Sequence, residues 1–216
     1  MSDRSNYAEV RADFLTRFER SVRDENSVVV HDAPSGRFRL EISQYDQPDT
    51  RWSYSRGVVT EIATGRLIAD IKRNFGHFWH AWVRKIDGRE WLLCGEDYQG
   101  YSVIDLDAAA TAVVFEDAGL HGHGFCWVEV RPSADGEVLA VHGCYWACPY
   151  DLVFFDFSDP SVLPLPEIFR VPGETDTLGW VGNDEFHYRV ETPAYEDDPE
   201  PPMVAAIWTR AGHGPT

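Results

Sequence analysis

The stretch FCWVEVRPSADGEVLAVHGCYWACPYDLVFFDFSDPSVLP, residues 125–164, is the clearest structural unit in this chain of 216 residues. Its first apolar run ends at Pro132 and is followed by Ser-Ala-Asp-Gly at 133–136. Asp-Gly favours a tight turn because glycine accepts the positive φ that a Cβ resists. The pattern therefore predicts a β-hairpin, a third strand over 151–157 and a fourth around 162–171.

The same succession of apolar runs and turns recurs along most of the chain. The turn glycines Gly36, Gly88, Gly136 and Gly182 are separated by 52, 48 and 46 residues. Repeats of this length with four short strands are typical of propeller blades. The sequence thus predicts an all-β fold of antiparallel four-stranded repeats. The residues after Trp208 are few for a last strand, so we expect either closure by an N-terminal strand or an open meander.

Two dipeptide features resemble propeller repeats of the WD-repeat or kelch-like kind. Gly-His precedes the first strand of two repeats, at 76–77 and 122–123, and a hydrophobic residue followed by Asp ends a third strand at Asp105 and Asp156. No Trp-Asp dipeptide occurs in the sequence. The resemblance covers residues 27–210 and implies a propeller-like fold with about four blades.

The N-terminal residues follow a helical pattern. Tyr7, Phe14 and Phe18 recur at helical spacing within a predicted helix over 7–23. We expect this helix to pack on the sheets, because a free apolar face would be exposed to water. The predicted domain organisation is a helical segment over 1–26 and a single propeller-like β domain over 27–216.

Composition limits the partners that the chain can take. The formal net charge is −17 at pH 7, which argues against nucleic acid because phosphate binding requires clustered Lys and Arg. No window approaches the roughly 20 apolar residues of a membrane helix, and the N-terminus lacks the apolar region of a signal peptide. We expect a cytoplasmic protein that binds no nucleic acid and no membrane. Its acidic surface either keeps it soluble or faces a basic partner protein.

One candidate ligand site lies in the segment 74–82, which is rich in aromatic residues and histidine. Strand alternation places Phe78, His80 and Trp82 on one face. Packing between neighbouring repeats explains this face without any function. The functional alternative is a ligand-binding pocket lined by His80 and Trp82.

A candidate metal site lies around the hairpin of the best repeat. If Pro132 faces Glu137, the register places Cys126 opposite Gly143 and beside Cys144. Thiolates and imidazoles are the ligands that zinc prefers. Buried cysteines without a metal, or a redox-sensitive pair, are the alternatives. The predicted ligands are Cys126, Cys144, Cys148, His121 and His123.

The sequence carries no established catalytic signature. It lacks a Gly-x-Ser-x-Gly elbow, a phosphate-binding glycine loop and a His-Glu-x-x-His pair, and whether the chain is an enzyme stays open. The string GCYWACPY at 143–150 is similar to one in uncharacterised bacterial proteins and implies no activity.

Propellers present variable loops on a rigid frame, so we expect a binding module for a protein partner, without a cofactor. The alternatives are a zinc-dependent enzyme and an acidic inhibitor or immunity protein.

Overall fold

The computed structural model describes residues 4–48, 50–114, 124–145, 150–173, 175–191 and 202–212, with the backbone alone for residues 4–8. This part of the chain contains one helix, α1 (Arg4–Phe18), and strands that form four antiparallel sheets. No helix in it is both long and apolar enough to cross a bilayer. The chain divides into two compact units, Met1–Trp82 with Glu90–Gly122 and Val83–Arg89 with His123–Thr216.

The first unit contains α1, the first sheet and most of the second. The strands of the first sheet are β1 (Val22–Arg23), β2 (Val29–Asp32), β3 (Phe38–Asp46), β4 (Ser53–Glu61) and β5 (Leu67–Arg73). Those of the second are β6 (His80–Arg84), β7 (Glu90–Cys94), β8 (Tyr101–Asp105) and β9 (Ala110–Val114). Both β1 and β2 pair with the same edge of β3: Val22 faces Asp46, and Val29 faces Ile42. They form one interrupted strand, so the first sheet also has four strand positions.

The second unit contains the third and fourth sheets. The strands of the third sheet are β10 (Cys126–Pro132), β11 (Val138–Cys144), β12 (Tyr150–Asp156) and β13 (Glu167–Val171). Those of the fourth are β14 (Thr175–Val181), β15 (Glu185–Glu191) and β16 (Met203–Thr209). Within the described residues the fourth sheet therefore has three strands, and beyond β16 the chain makes a single bridge between Thr209 and Gly212.

Each unit has its own apolar core. In the first unit Phe38, Leu40 and Leu92 are fully buried in one cluster that spans both sheets. In the second unit the Phe154 ring stacks on Trp208, with ring centroids 4.4 Å apart and an interplanar angle of 12°. Burial of such side chains is the main favourable term in folding.

The predicted all-β fold of four antiparallel repeats with an N-terminal helix is confirmed. The turn glycines Gly36, Gly88, Gly136 and Gly182 have φ of 70°, 88°, 72° and 66°, as the repeat predicts. Among the described residues, the first three repeats have four strand positions each and the last has three. The N-terminal strands add to β3 of their own repeat. That residues 27–216 form a single domain stays a prediction.

The predicted helix is shorter than expected, because it ends at Phe18 instead of continuing to residue 23. The backbone N–H of Ser21 donates to the Phe18 carbonyl in a closing turn, and β1 begins at Val22. The expected packing is confirmed: Phe14 is buried, and its ring lies edge-on to Tyr54 of β4 with centroids 5.1 Å apart.

Candidate functional site

Three loops of the first unit bring together Trp52, Phe75 and Tyr98, which we call the aromatic cluster. The ring centroids of Phe75 and Tyr98 are 5.1 Å apart, and the Trp52 centroid lies 5.9 Å from each of them. Trp52 is 42% exposed and Phe75 is 36% exposed. The loops join β3 to β4, β5 to β6 and β7 to β8, so the cluster combines residues from both sheets of the unit.

A buried arginine fixes two of these loops. Arg73, at the end of β5, donates from Nε to the His77 carbonyl at 2.8 Å. Its Nη1 donates to the carbonyls of Gly95 and Asp97 at 2.8 and 2.6 Å. Hydrogen bonds from a charged donor are stronger than neutral ones. The loops after β5 and β7 are therefore held together through their backbones.

The helix supports the same loops from outside the sheets. Arg11 of α1 donates to the Lys72 carbonyl at 2.7 Å and to the Glu96 carbonyl at 3.2 Å. Its guanidinium also lies 2.9 Å from the Glu96 carboxylate. Burial raises the pKa of Glu96 above its ordinary value and Asp97 adds to the rise, whereas the Arg11 charge opposes it.

Two glycines allow the loops to approach this closely. A Cβ at Gly76 would lie 2.3 Å from Ser53 Oγ, and a Cβ at Gly95 would lie 2.6 Å from Arg73 Nη1. Ser55 Oγ also donates to the Phe75 carbonyl at 2.5 Å. The exposed rings are thus carried on a preorganised support, which lowers the entropy cost of binding.

Sequence reasoning missed the aromatic cluster. Its residues are far apart in the chain, and only the sheet topology brings the loops together. A weak signal exists, because each ring lies in a connection rich in turn formers: Trp52 follows Pro48, Phe75 precedes Gly76 and Tyr98 precedes Gly100. Large aromatic side chains in such connections have no sheet face to pack against.

The predicted ligand residues His80 and Trp82 lie together on β6, with ring centroids 6.3 Å apart. The structure adds His31 of β2, whose ring centroid is 4.5 Å from that of His80. Burial, and then the charge of His31, lower the pKa of His80 to about 4, against the effect of a backbone hydrogen bond at Phe78. Trp82 Nε1 is buried without a hydrogen-bond partner among the described residues. Ligand binding here stays a prediction.

The register expected for the metal site was wrong. The Ser133 N–H donates to the Val138 carbonyl at 2.8 Å, so the four-residue turn lies one residue later in the chain than expected and Pro132 faces Leu139. With a β-bulge further along, Cys126 comes to lie directly opposite Cys144 instead of Gly143.

The remaining predicted metal ligands, Cys148, His121 and His123, lie outside the described residues. In the part of the chain that is described, no group of three or more His, Cys, Asp and Glu side chains is arranged to hold a metal ion. The zinc site therefore stays a prediction.

Solved structures with a similar fold are β-propellers. The β-propeller domain of the Trilobed protease from Pyrococcus furiosus, described as having an open velcro topology, matches with a TM-score of 0.52 and 12% identity, over 88% of this chain and 57% of that one. The acylaminoacyl peptidase of Pyrococcus horikoshii matches with a TM-score of 0.52 and 11% identity, over 94% of this chain and 33% of that one. The chain thus spans little more than half of the first structure and a third of the second. At such identity the likeness shows the fold alone: the chain has a propeller-like fold.

The sequence comparison gives the family. No protein-family model matches the chain. The chain is 34% identical over 177 residues to uncharacterized protein R762 of Acanthamoeba polyphaga mimivirus, and the match covers 76% of this chain and 67% of the viral one. The chain therefore belongs to the family of this mimivirus protein. The relative found is viral, whereas the string at 143–150 pointed to bacterial proteins.

Proposed function

We propose that this chain is a protein-binding module that recognises its partner through the aromatic cluster. The observation that carries the proposal is the contact of three aromatic rings from three loops. Two of the rings are substantially exposed, and the buried Arg73 binds the backbones of two of the loops. Tryptophan and tyrosine are enriched among the few residues that supply most of the energy of protein interfaces.

The aromatic rings of the cluster and the net charge of the chain indicate which class of partner segment would bind. Exposed aromatic rings bind apolar side chains and also the guanidinium or ammonium groups that lie over their faces. The formal net charge of −17 steers basic partners toward the protein and repels acidic ones. The proposed partner segment therefore combines Arg or Lys with an apolar or aromatic anchor.

Comparative peptide selection tests this proposal. A random phage-displayed peptide library is panned on the wild type, and the enriched clones are then tested on Trp52→Ala, Phe75→Ala and Ile86→Ala. Ile86 is 86% exposed and lies outside the cluster, so Ile86→Ala is the matched control. We expect basic, aromatic clones whose binding falls at least about tenfold on both cluster variants and stays unchanged on the control. Equal binding to all four proteins would contradict the proposal.

A zinc-dependent site is the second candidate, and the direct opposition of Cys126 and Cys144 is the observation that favours it. Elemental analysis of untagged protein from zinc-supplemented culture tests it. Near-stoichiometric zinc that is lost in Cys144→Ser supports the candidate, and metal-free protein removes it.

We propose that the protein is cytoplasmic. The supporting observation is that Cys94, Cys126 and Cys144 are all thiols, since reducing compartments keep cysteines in this form. Detection of the endogenous protein in fractionated cells tests the location, and recovery outside the cytosolic fraction would contradict it.

A further inference from the structure

The start of β10 and the end of β11 carry a pair of opposed thiols. Cys126 and Cys144 are direct cross-strand partners at the last position of this ladder. Directly opposed residues of an antiparallel pair point to the same face of the sheet. Both cysteines are buried, with 9% and 5% of their surface exposed, and both are thiols. The sheet therefore presents two sulfur atoms side by side.

A β-bulge creates this opposition. From Pro132 and Leu139 to Glu129 and His142 the ladder keeps one register. Continued without interruption, that register would place Cys126 opposite Tyr145. The bulge between Trp127 and Glu129 shifts the pairing by one residue and brings Cys126 to Cys144. Bulges commonly serve to re-aim a side chain, and here the re-aimed side chain is a thiol.

A glycine lets the two strands approach closely beside the cysteine pair. A Cβ at Gly143 would lie 2.3 Å from the Cys126 carbonyl oxygen, so only glycine permits this approach. His142 lies two residues before Cys144 and shares its face.

We infer that Cys126 and Cys144 are a thiol-oxidation site that forms a reversible cross-strand disulfide with a low-molecular-weight disulfide, such as oxidised glutathione, as the oxidant. Opposed Cα atoms in antiparallel sheets are about 4.5 to 5.5 Å apart, within the range of about 4.4 to 6.8 Å that disulfides span.

The disulfide forms by thiol–disulfide exchange in two steps. The thiolate of one cysteine attacks a sulfur of oxidised glutathione, and one reduced glutathione leaves. The second cysteine, as thiolate, then attacks the protein sulfur of this mixed disulfide and releases the second reduced glutathione. Two protein thiols are oxidised, one glutathione disulfide is reduced, and the two protons pass to solvent or to the leaving thiolates. The bond joins the first residue of β10 to the last residue of β11.

Peptide mapping of the full chain tests the inference. Protein treated with a chelator is equilibrated over a series of oxidised-to-reduced glutathione ratios, alkylated with iodoacetamide and digested with a glutamyl endopeptidase. This enzyme cleaves after Glu129 and Glu137 and so separates Cys126 from Cys144, whereas the Arg131-Pro132 bond resists trypsin. We expect two alkylatable thiols to be lost together, and the peptides 117–129 and 138–167 to be linked.

The variant Cys148→Ser makes the result specific, because it leaves Cys144 as the only cysteine of the peptide 138–167. The same link in this variant, at the same glutathione ratios, supports the inference. Loss of the link in Cys148→Ser, glutathione adducts without an internal link, or full alkylation at every ratio would each overturn it. Deletion of Val128 removes the unpaired bulge residue and leaves Trp127 opposite Gly143 and Cys126 opposite Cys144 in an uninterrupted ladder. If this variant folds, as judged by near-ultraviolet circular dichroism, the link should form at the same glutathione ratios; its loss would count against the register argument.

Discussion

The third and fourth sheets have the same order of three antiparallel strands, but only the third sheet has a fourth strand among the described residues. In the third sheet, β12 has β11 on one side and β13 on the other, and its five central residues are buried. In the fourth sheet, β16 has the corresponding position but no fourth strand beside it among the described residues, and Val204 is 46% exposed. The sequences YDLVFFD and MVAAIWT are both strongly apolar. The neighbouring strand, more than the apolar character of the segment, decides how deeply a third strand is buried.

The fourth sheet is anchored through one face. Trp208 of β16 stacks on Phe154 of β12, and the Phe186 ring meets Phe154 edge-on at 5.5 Å. Trp180 Nε1 also donates to the Arg131 carbonyl at 2.7 Å. These contacts attach the three-stranded sheet to the complete one. Aromatic side chains on one face therefore attach the fourth sheet, whereas the third strand of the third sheet is also covered by a fourth strand.

Removal of the shared anchor should have the largest effect. Phe154→Ala leaves a cavity between the two sheets and removes the stacking partner of Trp208. We expect the free energy of unfolding to fall by about 3 to 5 kcal/mol, as for other buried aromatic truncations. Urea denaturation followed by tryptophan fluorescence measures the loss. A decrease below about 1 kcal/mol would show that the stack does not hold the sheets together.

A matched pair of valines tests the difference between the two third strands. Val153 of β12 is fully buried and Val204 of β16 is 46% exposed. We expect Val153→Ala to lower the free energy of unfolding by about 2 kcal/mol and Val204→Ala by less than about 0.5 kcal/mol. Chemical denaturation of both variants under the same conditions gives the two values. Equal losses of the free energy of unfolding would mean that β16 is as deeply buried as β12.

An ion pair between the last turn and the third sheet makes stability depend on pH. Arg210 holds the Asp135 carboxylate with hydrogen bonds of 2.9 and 3.1 Å. Burial raises the pKa of Asp135, but hydrogen bonds from Arg210, Ser133 and the Glu137 N–H outweigh it and lower the pKa to about 2. The folded-state pKa is below that of the unfolded chain. The stabilisation is therefore complete above about pH 4 and is lost as the pH falls toward 2.

Replacement of the carboxylate should remove this pH dependence. We expect Asp135→Asn to cost about 1 to 2 kcal/mol at pH 7 and little at pH 2, because the wild type has lost the same contribution there. Unfolding curves of both proteins between pH 2 and pH 5 measure the difference, with Asp87→Asn as the control turn variant. A difference between Asp135→Asn and the wild type that stays constant across this range would contradict the assignment.

A small effect is expected at Gly76, a loop glycine beside the aromatic cluster. A Cβ at Gly76 meets the side chain of Ser53 and no backbone atom closer than 3.8 Å. The serine can give way by rotation, so we expect Gly76→Ala to cost about 1 kcal/mol or less. The combined variant Gly76→Ala with Ser53→Ala should recover most of the loss in thermal unfolding. Failure of this rescue would show that the loop itself, and not the contact, is disturbed.

Much of the fold was predictable because local chemistry determines it. Each repeat turn needs positive φ at one residue, and glycine occupies Gly36, Gly88, Gly136 and Gly182. The end of α1 was not predictable from periodicity, because Val22 continues the apolar spacing although it lies in a strand. The spacing of side chains alone does not distinguish a helix that continues from a chain that turns into a sheet.

The side-chain pairings at the candidate sites were less predictable, because they join residues that are far apart in the sequence. The opposition of Cys126 and Cys144 depends on where the turn begins and where the bulge lies, and a one-residue change in either moves every partner beyond it. His80 and Trp82 were found from strand alternation, but His31 was not, since it belongs to another repeat.

The affinity of a selected peptide for the wild type and for Trp52→Ala is the sharpest test of partner binding through the aromatic cluster. Isothermal titration calorimetry of both proteins, with Ile86→Ala as the control, gives the three dissociation constants. We expect affinity to fall about 30-fold in Trp52→Ala, the size of an interface hot spot, and to stay unchanged in the control. A dissociation constant for Trp52→Ala equal to that of the wild type would place the binding surface elsewhere on the protein.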